Sequence, residues 1–198
     1  GDIIRQQHVN TVTRQISFLA DAICEAATLF ARRKLEAKRG IPRDADGNPA
    51  QFVVLALGKL GGNELNYSSD IDLIFLYDGE GKTDGERSLS NDDFFQRLAR
   101  NIVELLTESR EVGPVYRVDL QLRPNGKEGS VALSVPAALR YYDVSGRTWE
   151  QQAYVKARPI AGNLELGARF LKQLEPWIYR RYLSRADITE IKALNVGL

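Results

Sequence analysis

Two short apolar runs restrict most strongly the folds that this chain can adopt. Residues 51–57 (QFVVLAL) end at a glycine, and residues 70–77 (DIDLIFLY) end at Asp-Gly. Both runs contain β-branched residues, and their length is typical of strands that are buried in a sheet. A third run, residues 115–122, alternates polar and apolar side chains, as a half-buried strand does. The chain is therefore expected to contain a sheet.

Apolar residues recur at helical spacing on both sides of these strands. Residues 3–39 carry one apolar stripe and end in a basic run before Gly40, which predicts a single long helix. Residues 92–107 show the same spacing, with Ser90 or Asn91 as the expected N-cap. Further helices are expected at about 135–145, 147–157 and 164–182. Between these elements we expect a turn-rich connector at 42–49 and a tight loop at 58–62.

The composition narrows the classes of protein that this chain can represent. Its 198 residues suit one domain at 41–198, on whose core an N-terminal helix at 1–40 is expected to pack. A formal net charge of +1 gives no broad attraction for nucleic acid or for an anionic membrane, so neither is expected as a partner. Cys24 and His8 are single residues of their types, which excludes an internal disulfide, a cysteine-based zinc site and a histidine-based triad.

The chain lacks the sequence signals of membrane insertion or secretion. No apolar run reaches the roughly 18–20 residues that span a bilayer, and the N-terminus has no signal-peptide pattern. A cytoplasmic protein is therefore expected. Methionine is absent even at position 1, so we expect the chain to be a piece of a longer protein.

Three aspartates fall on the polar faces of two predicted strands. Side chains alternate along a strand, so Asp70 and Asp72 share one face, and Asp119 lies on the polar face of the third strand. If the two strands are neighbours, three carboxylates meet and repel one another unless a cation lies between them. Oxygen ligands without histidine or cysteine favour Mg²⁺ or Mn²⁺, and two such ions can support displacement at phosphorus. We therefore expect a divalent-cation site here.

A glycine-rich segment comes directly before these aspartates. Glycines such as Gly61 and Gly62 let backbone N–H groups approach phosphate oxygens closely, and Lys59 or Ser69 could add side-chain donors. The segment is not a Walker A sequence, because Gly58-Lys59 is followed by leucine. The residues therefore indicate a phosphate-handling loop of another kind.

Three longer motifs resemble one known family. Residues 58–75 (GKLGGNELNYSSDIDLIF) resemble the signature of bacterial glutamine synthetase adenylyltransferases, a branch of the polymerase β-like nucleotidyltransferase superfamily. Residues 116–126 (YRVDLQLRPNG) and 146–158 (GRTWEQQAYVKAR) resemble the family's second and third motifs. The close resemblance covers about 51–162. It implies an α+β fold with a mixed sheet flanked by helices.

The resemblance also implies a reaction. Enzymes of this family have two homologous halves: one attaches AMP to a tyrosine of glutamine synthetase, and the other removes it by phosphorolysis, releasing ADP. The pairs Ser68-Ser69 and Arg147-Thr148, together with Arg117 two positions before Asp119, resemble the N-terminal, adenylyl-removing half. The expected activity is therefore removal of AMP, with the adenylylating half as the alternative.

The resemblance assigns roles residue by residue. It implies that Asp70, Asp72 and Asp119 form a catalytic triad that binds Mg²⁺ or Mn²⁺, as two ions. Nucleotide or phosphate contacts are expected from seven residues, namely Lys59, Gly61, Gly62, Ser69, Arg123, Lys156 and Arg158. For the last three, the alternative is that they pair with Glu150 and neighbouring carboxylates to hold the last helices on the sheet. Gln121 and the pair Lys127-Glu128 depart from the family pattern.

The implied partners are glutamine synthetase as protein substrate, ADP or ATP, inorganic phosphate and a PII-type signalling protein. A rival of another class is a non-catalytic module that keeps the fold and senses nucleotides or a signalling protein. The intact aspartates argue against it, because a degenerate site would be free to lose them. A polynucleotide nucleotidyltransferase is disfavoured, since neither the charge nor the aromatic pattern offers a groove for a nucleic-acid strand.

Overall fold

A computed structural model describes residues 2–110, 113–114 and 116–180. Numbered in chain order, its α-helices are α1 Asp2–Arg39, α2 Gly58–Gly61, α3 Asn91–Thr107, α4 Val135–Ser145, α5 Thr148–Tyr154 and α6 Leu164–Ile178. Its strands are β1 Pro42–Asp44, β2 Phe52–Leu57, β3 Ile71–Tyr77, β4 Gly81–Thr83, β5 Ser109–Arg110, β6 Gly113–Pro114, β7 Val118–Asp119, β8 Ala132–Ser134 and β9 Arg158–Gly162. A short 3-10 helix covers Gly126–Glu128.

The central sheet is mixed and has five strands. Four of them follow the order β7-β3-β2-β9, and β8 also pairs with β3. β2 is antiparallel to β3 and to β9, whereas β7 and β8 lie parallel to β3. β7 pairs with the beginning of β3, and β8 pairs with its end. A mixed sheet flanked by helices confirms the expected α+β fold.

Helices cover both faces of this sheet. Alternate residues of β2 and β3 point into two separate apolar clusters, one shared with α1 and α3 and the other with α4, α5 and α6. The first cluster takes Phe52, Val54, Ala56, Ile71, Leu73 and Phe75, and the second takes Val53, Leu55, Leu57, Ile74 and Leu76. Burial on both faces explains why the two strands read as nearly continuous apolar runs. Asp72 is the one charged residue within β3.

Helix α1 confirms the predicted long helix, with its start one residue earlier. It ends at Arg39, and Gly40 has a φ of +85°, a conformation that glycine adopts without strain. The helix packs against α3 and β9 and buries Ala20, Cys24 and Leu35, among others. The division of the chain into segments 1–40 and 41–198 stays a prediction.

Side-chain caps define the beginnings of the later helices. Ser90 caps α3, because its hydroxyl accepts a hydrogen bond from the N–H of Asp93, which confirms one of the two predicted caps. Ser134 caps α4 in the same way, and the Asn163 side chain accepts from the N–H of Leu166 at the start of α6. Helix α6 ends at Ile178, and residues 181–182 of its predicted range lie outside the described residues.

Several predicted elements differ from the structure. The connector at 42–49 contains β1, which pairs with β4, and the loop at 58–62 begins with the short helix α2. The third strand is much shorter than predicted: β7 has two residues, and Val115 lies outside the described residues. The chain turns directly after β7, where the N–H of Gln121 donates to a carboxylate oxygen of Asp119. Strands β8 and β9 were not predicted.

None of the helices in the described ranges combines the length and the apolar character that crossing a bilayer requires.

Candidate active site

An open cleft of about 430 Å³ lies where β3 and β7 begin. The segment before β3 forms one wall, and β7 with the residue pair before it forms the other. The lining residues are Gly58, Lys59, Ser68, Ser69, Asp70, Asp72, Arg117 and Asp119. The cleft thus collects all three predicted aspartates and both predicted side-chain donors of the glycine-rich segment.

Asp72 and Asp119 are direct neighbours across two parallel strands. They are register partners in the ladder between β3 and β7, and both are half-buried. Burial raises the pKa of the Asp72 carboxyl above its usual value, and the negative charges of Asp119 and Asp70 raise that pKa further. The condition on which the expected meeting of carboxylates depends, that the two strands are neighbours, is met by β3 and β7, and the carboxylates of Asp72 and Asp119 repel one another.

Asp70 already has a cationic partner in the cleft. Its Oδ1 atom lies 2.6 Å from Nε of Arg117, and Nη2 of Arg117 donates to the carbonyl oxygen of Ser68 at 2.7 Å. Both side chains are well exposed, at 68% for Arg117 and 49% for Asp70. Within the part of the chain that the structure describes, no three Asp, Glu, His or Cys side chains are grouped closely enough to hold a metal ion. Asp70 therefore pairs with Arg117 and does not form a site of three carboxylates with Asp72 and Asp119.

The first glycine of the motif is pressed against the acidic pair. Gly58 has a φ of +57°, and a Cβ atom at this position would overlap a carboxylate oxygen of Asp72. Only a residue without a side chain fits here. The prediction had named Gly61 and Gly62 instead of Gly58. The available signal was its place directly after a buried strand, where a sharp change of direction is required.

Lys59 and Ser69 meet across the cleft. Nζ of Lys59 donates to the hydroxyl of Ser69 at 3.2 Å, and this hydroxyl donates to Oδ1 of Asn66 at 2.6 Å. Lys59 is exposed and lies on the first turn after β2, so its charge stays close to the aspartates. The two residues place hydrogen-bond donors in the lining of the cleft with the aspartates, and their contact with a phosphate stays a prediction.

The other two predicted phosphate-binding glycines do not line the cleft. A Cβ atom at Gly61 would overlap the carbonyl oxygen of Lys156 and would lie 2.8 Å from that of Ala56. At Gly62, a Cβ atom would lie 2.9 Å from Cδ of the Lys156 side chain. At Gly61 the absence of a side chain lets two backbone segments approach closely, so its evident role is packing.

The three predicted basic residues of the later motifs also lie away from the cleft lining. Arg123 is buried, and its guanidinium donates to the carbonyl oxygens of Leu120, Lys127 and Gly129. Lys156 pairs with Glu64 at 2.6 Å. Each of these two side chains therefore has local partners in the fold.

Arg158 is the most firmly held of the three. Its guanidinium binds both carboxylate oxygens of Asp21 in α1, at 2.7 and 3.0 Å, and donates to the carbonyls of Leu60 and Gly61. In the alternative interpretation Arg158 pairs with a carboxylate, and it does, but its partner is Asp21 and not Glu150. The Glu150 carboxylate caps α5, where it accepts from the N–H of Arg147 and the hydroxyl of Tyr141. Arg158 instead ties α1, α2 and β9 together.

Comparisons with known proteins point to one family. The family model described as glutamate-ammonia ligase adenylyltransferase matches residues 1–173. A bifunctional glutamine synthetase adenylyltransferase/adenylyl-removing enzyme from Thioalkalivibrio sulfidiphilus is 40% identical over 196 residues, which is 98% of this chain and 20% of the relative. The corresponding enzyme of Pseudomonas putida is 43% identical over 196 residues, with the same shares, and that of Stenotrophomonas maltophilia (strain K279a) is 43% identical over 180 residues, 91% of this chain and 19% of the relative. The chain thus spans about a fifth of the length of these relatives.

Proposed function

Because the chain belongs to the glutamate-ammonia ligase adenylyltransferase family, we propose that it removes AMP from the adenylylated tyrosine of glutamine synthetase by phosphorolysis. In this reaction an oxygen of inorganic phosphate forms a bond to the adenylyl phosphorus while the bond from phosphorus to the tyrosine oxygen breaks. The products are ADP and the unmodified tyrosine, which recovers a proton from solvent. The adenylylating reaction of the same family is the alternative, with ATP as the donor.

The observation that carries this proposal is the gathering of Asp70, Asp72 and Asp119 at one cleft. Burial first, and then the charges of Asp119 and Asp70, raise the pKa of Asp72, so a cation beside Asp72 and Asp119 would offset an unfavourable negative charge. A set of carboxylate oxygens without nitrogen or sulfur suits Mg²⁺ or Mn²⁺. Two such ions, when bound, would neutralise the approaching phosphates and stabilise the leaving tyrosine oxygen. The oxygen donors of the cleft suit such ions by their chemistry, and a site of three carboxylates requires Asp70 to move from Arg117 towards Asp72 and Asp119.

The residues of the cleft divide the work in the proposed reaction. Asp72 and Asp119 would hold the cations from adjacent strands, and Asp70 would join them when it leaves Arg117. Nζ of Lys59 and the hydroxyl of Ser69 would donate to phosphate oxygens, because both groups line the cleft and already lie within hydrogen-bond distance of each other. Charge-assisted donors of this kind orient an anion and lower the cost of bringing two anions together. No histidine base is needed, since phosphate is itself the nucleophile.

The two directions of the reaction can be separated with the full-length protein. AMP-modified glutamine synthetase is incubated with ³²P-labelled inorganic phosphate and Mg²⁺, and we expect label to appear in ADP. A parallel reaction contains unmodified glutamine synthetase and ATP, and the transfer of AMP is measured. Because a full-length relative carries both activities, the cleft is assigned by substituting Asp72→Asn. Loss of labelled ADP alone supports phosphorolysis at this site, whereas loss of AMP transfer alone assigns it to the adenylylating half.

Arg117 competes with the divalent cation for Asp70, so removing it should tighten metal binding. In the full-length protein we expect Arg117→Gln to lower the dissociation constant for Mn²⁺ by about fivefold, the upper range for an exposed ion pair. Isothermal titration or the Mn²⁺ electron paramagnetic resonance signal measures this without any catalytic assay. Arg97→Gln, on the exposed side of α3, removes the same charge away from the cleft and is the matched control. Equal affinities in the two variants would contradict the competition.

A further inference from the structure

The solvent-facing side of α1 carries no charge over four helical turns. Between residues 16 and 31 the charged residues are Asp21 and Glu25. Both are bound to β9: Asp21 pairs with Arg158 at 2.7 Å, and Glu25 accepts from the N–H of Gly162 at 2.7 Å. The residues of the opposite side are therefore all apolar over this stretch, which is unusual for a helix that faces water. Charged groups of the described residues reach it only from its ends, where Arg14 lies over the ring of Phe18 at 5.7 Å and Lys34 over that of Phe30 at 6.0 Å.

Large apolar side chains are strongly exposed on that side. Phe18, Leu19 and Phe30 are 53%, 58% and 58% exposed, and Val12 and Leu29 are 42% and 45% exposed. Ala22 and Ala26 lie between them and are exposed as well. We call these seven residues the outer face of α1. A contiguous apolar surface of this kind on a helix marks a site where another protein segment packs.

The spacing of the outer face is that of helix–helix packing. Val12, Leu19 and Ala26 are separated by seven residues each, and Ala22 and Leu29 follow Leu19 and Ala26 by three residues. This is the repeat of the two core positions of a heptad, in which apolar side chains of one helix insert between those of another. The alanines at the centre permit close approach of the two backbones.

The outer face is continuous with the core of the protein. Ile16, Ile23 and Ala27 form the border between the two sides, and each is partly buried against the apolar cluster of α1, α3 and the sheet. A helix on the outer face would cover this border too and would extend that cluster. Interfaces that resemble a core, without charged residues, belong to permanent associations rather than to transient ones.

We propose that a helix from another part of the same polypeptide packs lengthwise on the outer face of α1. The chain spans about a fifth of the length of its relatives, so most of the polypeptide is available to supply this helix. Continuity with the core favours an intramolecular partner over a second copy. The proposal concerns the assembly of the protein and is independent of the proposed reaction.

Thiol accessibility in the full-length protein tests this assignment. Ala26→Cys introduces a small side chain at the centre of the outer face, and Arg97→Cys introduces the same group on the exposed side of α3 as the control. We expect the thiol at position 26 to react with a maleimide at least about tenfold more slowly than the control, because reaction requires local opening. The parent protein supplies the background rate. Cys24 adds little to it, because burial raises the pKa of its thiol to about 12.

The same labelling separates the alternatives. Protection that stays constant as the protein is diluted supports an intramolecular helix. Protection that disappears on dilution, together with dissociation seen by light scattering, assigns the outer face to a second copy and overturns the proposal. Equal reaction rates at positions 26 and 97 overturn it as well, since the outer face would then be open to solvent. None of these outcomes depends on catalytic activity.

Discussion

Asp72→Asn in the full-length protein is expected to lower the rate of ADP formation by about a thousandfold or more. The amide keeps the size of the side chain but removes a negative charge from the lining of the cleft, with which we propose that the protein binds a divalent cation. Loss of charge stabilisation worth several kcal/mol corresponds to this factor, since each 1.4 kcal/mol is about tenfold in rate. Single-turnover release of labelled ADP at saturating phosphate is the measurement. An unchanged rate would contradict the role assigned to Asp72.

Asp72→Asn should not destabilise the fold. The reason is the pH dependence of stability that Asp72 gives the parent protein. Burial and two neighbouring carboxylates raise the pKa of Asp72, so the folded protein holds this proton more tightly than the unfolded chain does. Stability is therefore lost as the pH rises past about 3.9, the usual pKa of an aspartate, because the carboxyl must then ionise in an unfavourable place. Asparagine does not ionise. Without divalent cations, Asp72→Asn should be at least as stable as the parent near neutral pH. This advantage of the variant should disappear in acid, where Asp72 is protonated in both the folded and the unfolded parent.

Loss of the Arg158 guanidinium is expected to produce the largest structural effect among the predicted site residues. Arg158→Met keeps the apolar stem but leaves the Asp21 carboxylate and the carbonyls of Leu60 and Gly61 without their donor. Removing one partner of a buried pair costs about 3–5 kcal/mol, and these side chains are 25% and 20% exposed, so we expect about 2–3 kcal/mol. Amide hydrogen exchange in β9 should then be roughly a hundredfold faster.

Lys156→Met is the matched control for this measurement. The pair of Lys156 and Glu64 has a similar distance, 2.6 Å, but its side chains are 52% and 58% exposed, so its loss should cost no more than about 1 kcal/mol. We expect the KM for phosphate to stay unchanged in both variants, measured at a temperature where both are folded. A raised KM with normal exchange in β9 would show that Arg158 contacts phosphate instead of supporting the fold.

The parts of the fold that could be predicted from the sequence are those that local periodicity specifies. Strands β2 and β3 are buried on both faces, so their residues form nearly unbroken apolar runs. Helices α1 and α3 carry a stripe at helical spacing, and Ser90 marks the start of α3. The alternation of side chains predicts that Asp72 and Asp119 lie on the polar faces of their strands, but the pairing of those strands is a contact that no local pattern specifies. Their binding of a metal ion stays a proposal.

Other features depend on contacts between distant parts of the chain. Strand β9 contains Pro159 and ends at Gly162, a poor local signal for a strand, and it forms because β2 offers an edge with a register shift between Val54 and Leu55. Arg158 pairs with Asp21, which lies 137 residues earlier in the chain, and no local sequence pattern indicates this pairing. The pairing of Asp70 with Arg117 could not be predicted from the sequence either. Arg117 lies two residues before Asp119, but its guanidinium contacts Asp70, which directly precedes β3.

Strand β3 holds β7 at its beginning and β8 at its end, and this arrangement has a consequence for how such chains can diverge. Between these two pairings, residues 120–131 form an excursion from the sheet that connects β7 to β8. An insertion or deletion in this excursion leaves both registers intact, so Asp119 remains opposite Asp72 whatever the length of the excursion. Evolution can therefore change the length of residues 120–131 while the acidic pair keeps its register.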